Sequence, residues 1–444
     1  MSGPPRRVAV VGAGIAGLAA AQALSEASRA GRCEVTLFEA GEYFGGHTHT
    51  VDVTLPGQDG RPVRAGVDTG FLVFNDRTYP QLVELFERLD IDTAPSDMSF
   101  SVQVPDRRLE WSGSDLNTVF AQRRNLLRPR FLGMLREILR FNRLATDMAA
   151  SGESDALDQP LGDFLDEHRF SRAFRDWYFL PMIGCIWSCP TDQMLRFPVS
   201  TMLRFCHNHG LIQVSDRPQW HTVRGGARQY VPRMLAHVAH SRLRCPVTQV
   251  CRVPGGVIVT SRRGAEWFDA AVLACHSDQS LAMLVDATAR ERELLSAIGY
   301  HRNRAVLHTD TALLPRRRLA HAAWNYERAE SSQREHAAVC LHYLINRLQP
   351  LPFAQDVIVS LNPVREPASS KVIDEFEYEH PVFDLAALRA QRALPLIQGQ
   401  RNTWFCGAWT GYGFHEDGLK SGQAAAREVL AMQTGAAHAA SCAP

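Results

Sequence analysis

The chain has 444 residues, 45% hydrophobic and 21% charged, so it is long enough to bury the cores of two or three domain-sized units. Its 48 basic and 47 acidic residues leave a net charge of +1, which excludes a global positive field for nucleic acid. The ten cysteines are scattered and lack the even spacing of a disulfide framework, which argues against a small secreted scaffold. We therefore expect free thiols and a cytoplasmic protein.

The N-terminal segment imitates an export signal, because two arginines precede a run of small apolar residues at positions 8–21. Two features favour a folded segment instead. The run carries three glycines at fixed spacing and leads into a second strand-like stretch. It is also shorter than the ~18 residues that a membrane span needs, and no other stretch is long enough. We predict a strand and a helix here.

Residues 7–11 are typical of a buried strand, and Gly12, Gly14 and Gly17 form a GxGxxG turn into a helix. The first glycine permits the tight turn, the second lets the backbone approach a pyrophosphate, and the third lets helix and strand pack closely. The free N–H groups of the helix N-terminus then face the anion. A second strand ends at Glu39, roughly 20 residues past the last glycine, where an acid hydrogen-bonds a ribose 2′-hydroxyl and disfavours NADP. The sequence therefore predicts a dinucleotide site.

The residues after Glu39 separate FAD from NAD, because Gly45 and Gly46 complete the pattern FEAxxxxGG. This pattern occurs together with GAGIAGLAAA, HTVRGGARQYVPRML at 221–235 and GAWTGYGFHEDGLKSGQAAA near the C-terminus. The combination resembles the flavin-containing amine oxidase superfamily, with phytoene desaturases and protoporphyrinogen oxidases. It covers the two ends and the middle of the chain, and the regions between match far less. The resemblance implies FAD, held noncovalently because no cysteine or histidine sits in a covalent-attachment motif.

The resemblance also implies how FAD is held, with Glu39 at the adenosine ribose and Val247 at the adenine edge. The pyrophosphate would lie against the GxGxxG turn, and the isoalloxazine against the VDTGF segment. Many relatives carry arginine after the glycine pair, whereas this chain has His47, a weaker and pH-sensitive donor. The predicted cofactor-binding residues of these motifs are Gly12, Gly14, Ile15, Ala16, Gly17, Glu39, Ala40, Gly45, Gly46, His47, Gly70, Phe71 and Val247.

Residues 405–430 repeat the order of strand, glycine-rich turn and small-residue helix that opens the chain. In the resembling family this stretch is the second flavin contact, covering the ribityl chain and the pyrimidine end. Glu416 and Asp417 stand at the helix start, where the plainer interpretation is dipole compensation and capping. The predicted cofactor contacts of this stretch are Gly407, Glu416, Gly418 and Leu419.

These anchors predict an α/β fold, a Rossmann-like FAD-binding domain of amine-oxidase type with an inserted α+β substrate domain. Segments 1–95, 210–285 and 395–434 would build the FAD-binding domain. Segments 96–209, mainly helical, and 286–394, mainly β-stranded, would build the substrate domain. We expect the alanine-rich segment 435–444 to be a flexible tail.

The resemblance places the substrate beside the flavin, where amine oxidases of the family enclose an amine between aromatic rings. Here Phe414 occupies a position at which a tyrosine is expected, which weakens an amine assignment. Trp409, Tyr412 and His415 would complete a mostly apolar site. We predict Tyr412, Phe414 and His415 as the catalytic positions, with Tyr412 or His415 handling a proton where one is needed.

The sequence thus predicts an FAD-dependent oxidoreductase that alters C–H or C=C bonds of an apolar substrate by hydride transfer to or from flavin N5. The segments GGHTHT, GFLVFN and GYGFHEDGLKSG resemble most closely those of bacterial flavoproteins that modify fatty-acyl chains. The alternatives are an amine oxidase, a flavin-dependent double-bond isomerase and a protein in which flavin is structural. The oligomeric state stays open.

Residues 123–143 contain seven arginines and one acid around an apolar stripe at near-helical spacing. A basic amphipathic helix of this kind can lie on an anionic membrane surface. The plainer interpretation is a solvated arginine face over an ordinary core stripe. Peripheral contact with an anionic membrane is therefore a hypothesis of the sequence.

No metal site is predicted, because no candidate ligand pair has the spacing that zinc or iron requires. The candidate pairs are His47 with His49, His207 with His209, and Cys185 with Cys189. The histidines on or beside strand-like runs, which we expect to be satisfied structural groups, are His276, His301 and His308.

Overall fold

The computed structural model describes residues 5–28, 33–151, 159–213, 217–328 and 339–441. The strands are β1 Arg6–Val11, β2 Cys33–Phe38, β3 Thr50–Pro56, β4 Pro62–Asp68, β5 Phe74–Asn75, β6 Thr93–Ser96, β7 Phe100–Val104, β8 Leu109–Ser112, β9 Trp220–Val223, β10 His240–Arg242, β11 Val247–Val253, β12 Gly256–Ser261, β13 Gly264–Phe268, β14 Ala270–Leu273, β15 Gly299–His308, β16 Trp324–Glu327, β17 Cys340–Leu344, β18 Ile358–Leu361, β19 Val372–Val382 and β20 Thr403–Phe405. The α-helices are α1 Ile15–Ser28, α2 Pro80–Arg88, α3 Leu116–Val119, α4 Pro129–Ser151, α5 Leu161–Glu167, α6 Arg172–Phe174, α7 Leu180–Trp187, α8 Thr191–Met194, α9 Val199–Asn208, α10 Tyr230–Leu235, α11 Ser277–Met283, α12 Ala289–Ser296, α13 Ile345–Leu348, α14 Leu385–Ala393 and α15 His415–Ser441.

A five-stranded parallel sheet in the order β10-β2-β1-β14-β20 contains both the first and the last strand of the described chain, β1 and β20. Its central strands β1 and β14 are apolar and largely buried, as expected for strands covered on both faces. Helix α1 follows β1 directly, and α15 follows β20 after a short turn. The run that imitates an export signal therefore forms β1 and α1. The predicted α/β fold is confirmed.

A seven-stranded sheet in the order β19-β15-β18-β17-β16-β7-β8 forms the core of the second unit. Five of its strands, β15 to β19, come from the segment in which the sequence predicts strands. The other two, β7 and β8, precede the helices in a segment predicted to be mainly helical. Strand β7 joins the sheet parallel to β16, and its pairing buries Val102 and Val104.

A cluster of helices packs beside this sheet. Helix α4 buries Phe141 and Ala145 in the helical core and Phe131 and Met134 against the sheet. These positions lie on neighbouring turns of one face, as the spacing of the apolar residues predicts. The domain boundaries given above stay a prediction.

The two ends of the chain meet in a direct contact between α1 and α15. A Cβ atom on Gly422 would lie 2.0 Å from the carbonyl oxygen of Ala16. One turn earlier, a Cβ atom on Gly418 would lie 2.7 Å from Cγ2 of Ile15. The helices therefore approach backbone to backbone, which only small residues permit.

None of the described helices is long and apolar enough to cross a membrane. The nine cysteines of the described residues are free thiols. Helix α15 is described as far as Ser441, so most of the segment expected to be a flexible tail is helical in the structure.

Replacing Gly422 with alanine is expected to lower the free energy of unfolding by about 1–3 kcal/mol, because the added methyl group collides with backbone of α1. The matched control is Gly133→Ala in α4, where a Cβ atom would meet nothing within 4 Å. That change is expected to raise stability by up to about 1 kcal/mol, the usual preference of helices for alanine over glycine. Denaturant unfolding of both variants measures the difference. An equal change in the free energy of unfolding of the two variants would contradict the close contact between α1 and α15.

Candidate active site

The turn between β1 and α1 meets the steric conditions of the glycine motif. Gly12 has a φ of +99°, and a Cβ atom there would lie 2.8 Å from the carbonyl oxygen of Ala274. A Cβ atom on Gly17 would lie 1.8 Å from the carbonyl oxygen of Gly12. A Cβ atom on Gly14, in contrast, would have no other atom within 4 Å, so the backbone of Gly14 faces open space. The tight turn thus falls on Gly12, the open approach on Gly14 and the close packing on Gly17, as the motif requires.

The carboxylate of Glu39 is held beside this turn. One oxygen accepts a hydrogen bond from the N–H of Ala13 at 2.8 Å, and the other from the N–H of Gly41 at 2.7 Å. Helix α1 begins two residues after Ala13, at Ile15, and its first N–H groups have no acceptor within the helix. The turn therefore presents unpaired donors and one fixed carboxylate.

The glycine pair of the second predicted motif lies directly against this turn. The N–H of Gly45 donates to the carbonyl oxygen of Ala13 at 2.8 Å. A Cβ atom on Gly46 would lie 3.0 Å from Cα of Gly14. The two glycine motifs consequently form one continuous surface.

His47 joins this surface to the VDTGF segment. Its carbonyl oxygen accepts from the N–H of Phe71 at 2.7 Å, and a Cβ atom on Gly70 would lie 2.3 Å from that oxygen. The ring of Phe71 stacks on the imidazole of His415, with centroids 3.8 Å apart. Nε2 of His415 lies 3.1 Å from Oγ1 of Thr48, and burial lowers the pKa of His415 to about 3. The N-terminal and C-terminal motifs are thus in contact.

The aromatic turn, residues 407–414, is organised by Asp417. Oδ2 of this residue accepts from the backbone N–H groups of Tyr412 at 3.1 Å and Phe414 at 3.0 Å. A Cβ atom on Gly411 would lie 2.5 Å from its Oδ1, so the turn requires glycine there. Burial raises the pKa of Asp417 to about 6. Asp417 is a capping residue of this turn, as the plainer interpretation of the sequence holds.

Glu416 also has a capping role. Its carboxylate accepts from the N–H groups of Gln81 at 3.1 Å and Leu82 at 2.9 Å, in the first turn of α2. It also pairs with Lys420 at 3.0 Å. These bonds join α15 to α2, so the structure argues for helix capping at Glu416 rather than the predicted cofactor contact.

A cavity of about 700 Å³ opens in front of these segments, between the two units. The predicted residues on its wall are Gly12, Gly14, Ile15, Ala16, Glu39, Ala40, Gly46, His47, Gly70, Phe71, Val247, Gly407, Phe414 and His415. The predicted residues outside its wall are Gly17, Gly45, Tyr412, Glu416, Gly418 and Leu419. The glycines of this second group allow close packing behind the wall, and the leucine is buried in the core.

The inserted segments complete the cavity with apolar side chains. In the mainly apolar part of the wall these are Met98, Cys185, Ile186, Ser188, Phe205, His209, Trp324 and Tyr343, joined by Leu211 and Trp220 of segment 210–285. The inserted segments also contribute Tyr300, Glu379, His380 and Pro381 elsewhere on the wall. The ring of Phe414 packs among them, with its centroid 5.1 Å from that of Phe205 and 5.9 Å from that of His209. Phe414 therefore joins the aromatic turn to the apolar part of the cavity.

Sequence reasoning missed Asp68, which is fully buried and precedes Phe71 in the VDTGF segment. Its carboxylate accepts from the N–H of Ala227 at 2.9 Å and from Nε2 of Gln349 at 2.7 Å. Burial raises the pKa of Asp68 to about 7. The motif at 221–235 thus supports the VDTGF segment from behind. No local pattern marks Asp68, because its partners are distant in sequence.

Histidine is prominent on the cavity wall. The described wall histidines are His47, His209, His276, His380 and His415. Nδ1 of His276 has one candidate partner, Oε2 of Glu379 at 3.4 Å, so the expectation that it is a satisfied structural group stays a prediction. The expectation is wrong for His301, because its Nε2 is buried without a hydrogen bond. His308 does agree with the expectation, since both its ring nitrogens are hydrogen-bonded.

One group of metal-type ligands occurs in the described part of the chain, at Glu327, Cys340 and His342. Nε2 of His342 lies 3.0 Å from Oε2 of Glu327 and 3.6 Å from Sγ of Cys340. Such a set suits zinc when the imidazole offers a lone pair. The assignment therefore depends on which nitrogen of His342 carries the proton.

A directed chain of hydrogen bonds answers this question. The N–H of Asp310 donates to Nδ1 of His308 at 3.0 Å, which places the His308 proton on Nε2. That nitrogen donates to Oγ of Ser360 at 2.7 Å, whose hydroxyl donates to Nδ1 of His342 at 2.7 Å. Nε2 of His342 is then protonated and donates to Glu327. We assign no metal to this group, because Nε2 of His342 carries a proton and the lone pair on Nδ1 already accepts a hydrogen bond from Ser360.

Comparison with known proteins identifies the family of this arrangement. Residues 15–317 match the family described as flavin containing amine oxidoreductase. A search of curated protein sequences gave no significant match.

Solved structures with a similar fold include a CLA-producing fatty acid isomerase from P. acnes, with a TM-score of 0.67, 17% identity and coverage of 96% of this chain and 99% of that one. Cyclohexylamine oxidase from Brevibacterium oxydans IH-35A has a TM-score of 0.67 at 16% identity, covering 97% and 99%. A protein described as a putative protoporphyrinogen oxidase, from Exiguobacterium sp. 255-15, has a TM-score of 0.65 at 17% identity, covering 98% and 99%. These likenesses establish the fold. Together with the family match, they show that the chain belongs to the flavin-containing amine oxidoreductases and is an FAD-dependent oxidoreductase.

Proposed function

We propose that the protein uses FAD to alter C–H or C=C bonds of an apolar substrate of fatty-acyl or lipid type. The observation that carries this proposal is the apolar, aromatic wall that the inserted segments contribute to the cavity. Among the described wall residues the carboxylates are Glu39 and Glu379. Glu379 belongs to an inserted segment, on β19, but its carboxylate is already paired with Arg302 at 2.8 Å. Burying a lone ammonium without a partner is strongly unfavourable. The wall therefore favours a hydrocarbon chain over a protonated amine.

The residues of the β1–α1 turn fit FAD. The open space at Gly14 and the free N–H groups of α1 suit the diphosphate, and the fixed carboxylate of Glu39 suits a ribose. Val247 lines the same cavity at the start of β11 and would meet the adenine. Nε2 of His47 is a buried polar atom without a partner, as expected where a ligand completes the site.

FAD, when bound, supplies the hydride acceptor or donor of the reaction. The chain's own contribution is to bury the substrate, exclude water and hold the reacting carbon in place. His415 lies on the cavity wall, and burial lowers its pKa to about 3, whereas Tyr412 is not part of that wall. We therefore retain His415 and not Tyr412 as the group that handles a proton there.

The names of the structural neighbours are divided between the alternatives, since one is a fatty acid isomerase and another an amine oxidase. At 16–17% identity neither name transfers to this chain. The apolar wall favours the hydrocarbon substrate that oxidation and double-bond isomerisation share. Isomerisation is the second candidate, distinguished by the absence of net oxidation.

A surface formed by residues 116–143, which we call the basic leucine patch, supports contact with an anionic membrane. Its exposed leucines are Leu116, Leu126, Leu127, Leu132 and Leu139. Leu127 and Leu116 are 87% and 77% exposed, far beyond what a leucine over an ordinary core stripe shows. Exposed apolar side chains grouped in this way mark an interaction surface.

The charges of the basic leucine patch favour an anionic partner. Its exposed arginines are Arg123, Arg124, Arg130, Arg136 and Arg143. Within the described residues none of these five pairs with a carboxylate. Backbone carbonyl oxygens hold Arg123 and Arg124, as one holds Arg140 at 3.0 Å. Arginines without a carboxylate partner around exposed leucines match a surface of anionic lipid.

Glu39→Ala is expected to weaken FAD binding by about tenfold or more, since hydrogen bonds to a charged group contribute about 1.5–3 kcal/mol each. The matched control is Glu34→Ala on β2, the strand that ends just before Glu39. The exposed carboxylate of Glu34 pairs with the exposed imidazole of His240. Fluorescence titration of the apoprotein with FAD gives both dissociation constants. Equal affinity of the two variants would remove Glu39 from the site.

Anaerobic mixing with panels of fatty-acyl, isoprenoid and amine compounds tests the substrate class. Acyl lipids are expected to bleach the flavin absorbance, or to be isomerised without lasting bleaching, and simple amines to be inert. Phe414→Tyr should lower kcat/KM for the active lipid about tenfold with FAD still bound, because a buried unpaired hydroxyl costs about 1–3 kcal/mol. Tyr412→Phe should stay near wild type. Rapid bleaching by amines with inert lipids would overturn the assignment.

Co-sedimentation with vesicles tests the basic leucine patch. The wild type is expected to pellet with anionic but not zwitterionic vesicles, and added salt should weaken binding. A Leu126→Ser, Leu127→Ser variant and an Arg130→Gln, Arg136→Gln, Arg143→Gln variant should both lose binding. Leu396→Ser, at a leucine 57% exposed outside the patch, is the control. Unchanged pelleting of the patch variants would leave only the solvated-face interpretation.

A further inference from the structure

Three histidines from separate parts of the chain meet beside the β1–α1 turn. His47 follows Gly46, which lies against Gly14. The ring of His380 on β19 has its centroid 5.2 Å from that of His47. His276 follows β14, the strand paired with β1. All three line the cavity, and we call them the histidine cluster.

The histidine cluster contains a buried ring nitrogen that no described protein group satisfies, Nε2 of His47. Nδ1 of His276 is also buried, and its nearest polar partner is Oε2 of Glu379, 3.4 Å away. Leaving Nε2 of His47 unpaired costs free energy, so its position on the cavity wall points to a ligand.

The proton of His380 is positioned by a second chain of hydrogen bonds. The N–H of Arg304 donates to Oδ1 of Asn362 at 3.0 Å, which orients that amide. Nδ2 of Asn362 donates to Oδ1 of Asn303 at 2.7 Å, and Nδ2 of Asn303 donates to Nδ1 of His380 at 2.9 Å. A neutral His380 therefore carries its proton on Nε2 and offers it as a donor.

Burial keeps the histidine cluster neutral in the protein alone. It lowers the pKa of His47 to about 4 and that of His380 to about 3, and it lowers the pKa of His276 as well. The other titratable and charged groups that face the cluster are Glu379 with its partner Arg302, Asp278, His301, His415, Tyr300 and Tyr378. Among these described groups the permanent positive charge is that of Arg302, which is paired with Glu379 at 2.8 Å.

We infer that the histidine cluster binds the diphosphate of FAD and takes up a proton when the cofactor binds. A guanidinium, which many relatives place after the glycine pair, is charged at every working pH, whereas imidazole gains its charge beside an anion. An adjacent phosphate favours the protonated ring and so raises its pKa. Because the complex then holds more protons than the free protein, affinity rises as pH falls. The gain reaches about tenfold per pH unit for each proton taken up.

Calorimetric titration of the apoprotein with FAD, at about pH 8.5, 7 and 5.5, tests this inference over the range in which imidazole titrates. Buffers of different ionisation enthalpy report the number of protons taken up. We expect uptake approaching one proton and an affinity at least about tenfold higher at the lowest pH. His47→Arg should bind FAD tightly at the highest pH and lose most of the pH dependence.

Glutamine variants separate titration from hydrogen bonding, since glutamine keeps a neutral donor that cannot gain a proton. His47→Gln, His276→Gln and His380→Gln should each flatten the pH dependence, and the triple variant should abolish it. The matched control is His240→Gln, at an exposed histidine on β10 outside the cavity wall, whose Nε2 lies 2.7 Å from Oε1 of Glu34. This variant should show the same pH dependence of FAD affinity as the wild type.

Two results would overturn the inference: wild-type protein that binds FAD without proton uptake and with flat affinity, or a triple variant that keeps the full pH dependence. The first can be obtained even if the variants do not fold. Because no substrate enters the titration, this inference and the substrate assignment can fail independently.

Discussion

The close contact of α1 with α15 is the constraint on which the site depends. Between Gly422 and the carbonyl oxygen of Ala16 there is no space for a methyl group. This contact fixes the start of α15, and with it the ring of His415 against Phe71. The aromatic turn consequently faces the β1–α1 turn, although almost the whole chain separates them. One cavity is thereby built from both ends of the sequence.

That cavity combines two environments. At the β1–α1 turn it offers backbone N–H groups, a fixed carboxylate and neutral imidazoles, and beyond Phe414 it offers aromatic and aliphatic side chains. Lys371 and Lys420, the two lysines of the sequence, are held in ion pairs with Asp310 and Glu416. The protein thus binds an anionic cofactor beside an apolar substrate while keeping permanent cations out of the described wall, where burying them would cost free energy.

The parts of this account that follow from the sequence are those with local signatures. The GxGxxG turn, Glu39 and the glycine pair are close together in the chain, and each glycine has a steric reason that spacing alone reveals. The FAD-dependent family and the α/β fold could be predicted from them. Strands β7 and β8 were not predicted, because two short strands before a long helical segment are stabilised by a distant partner, β16.

The residues that sequence reasoning missed share this dependence on distant contacts. Asp68 is identified only by Ala227 and Gln349, and His276 and His380 only by their approach to His47. Glu416 and Asp417 look alike in sequence, yet one caps α2 and the other the aromatic turn. A motif places residues along the chain, but the direction of each side chain is decided by packing.

The most direct test of the central claim is a crystal structure of the protein with FAD bound. The account predicts one extended cofactor in the cavity, with its ribose at Glu39, its diphosphate between Gly14 and His47, and its ring system beside Phe71 and His415. Electron density for a flavin that contacts the N-terminal motifs but leaves the aromatic turn without contact would contradict the claim that one ligand joins the two ends of the chain.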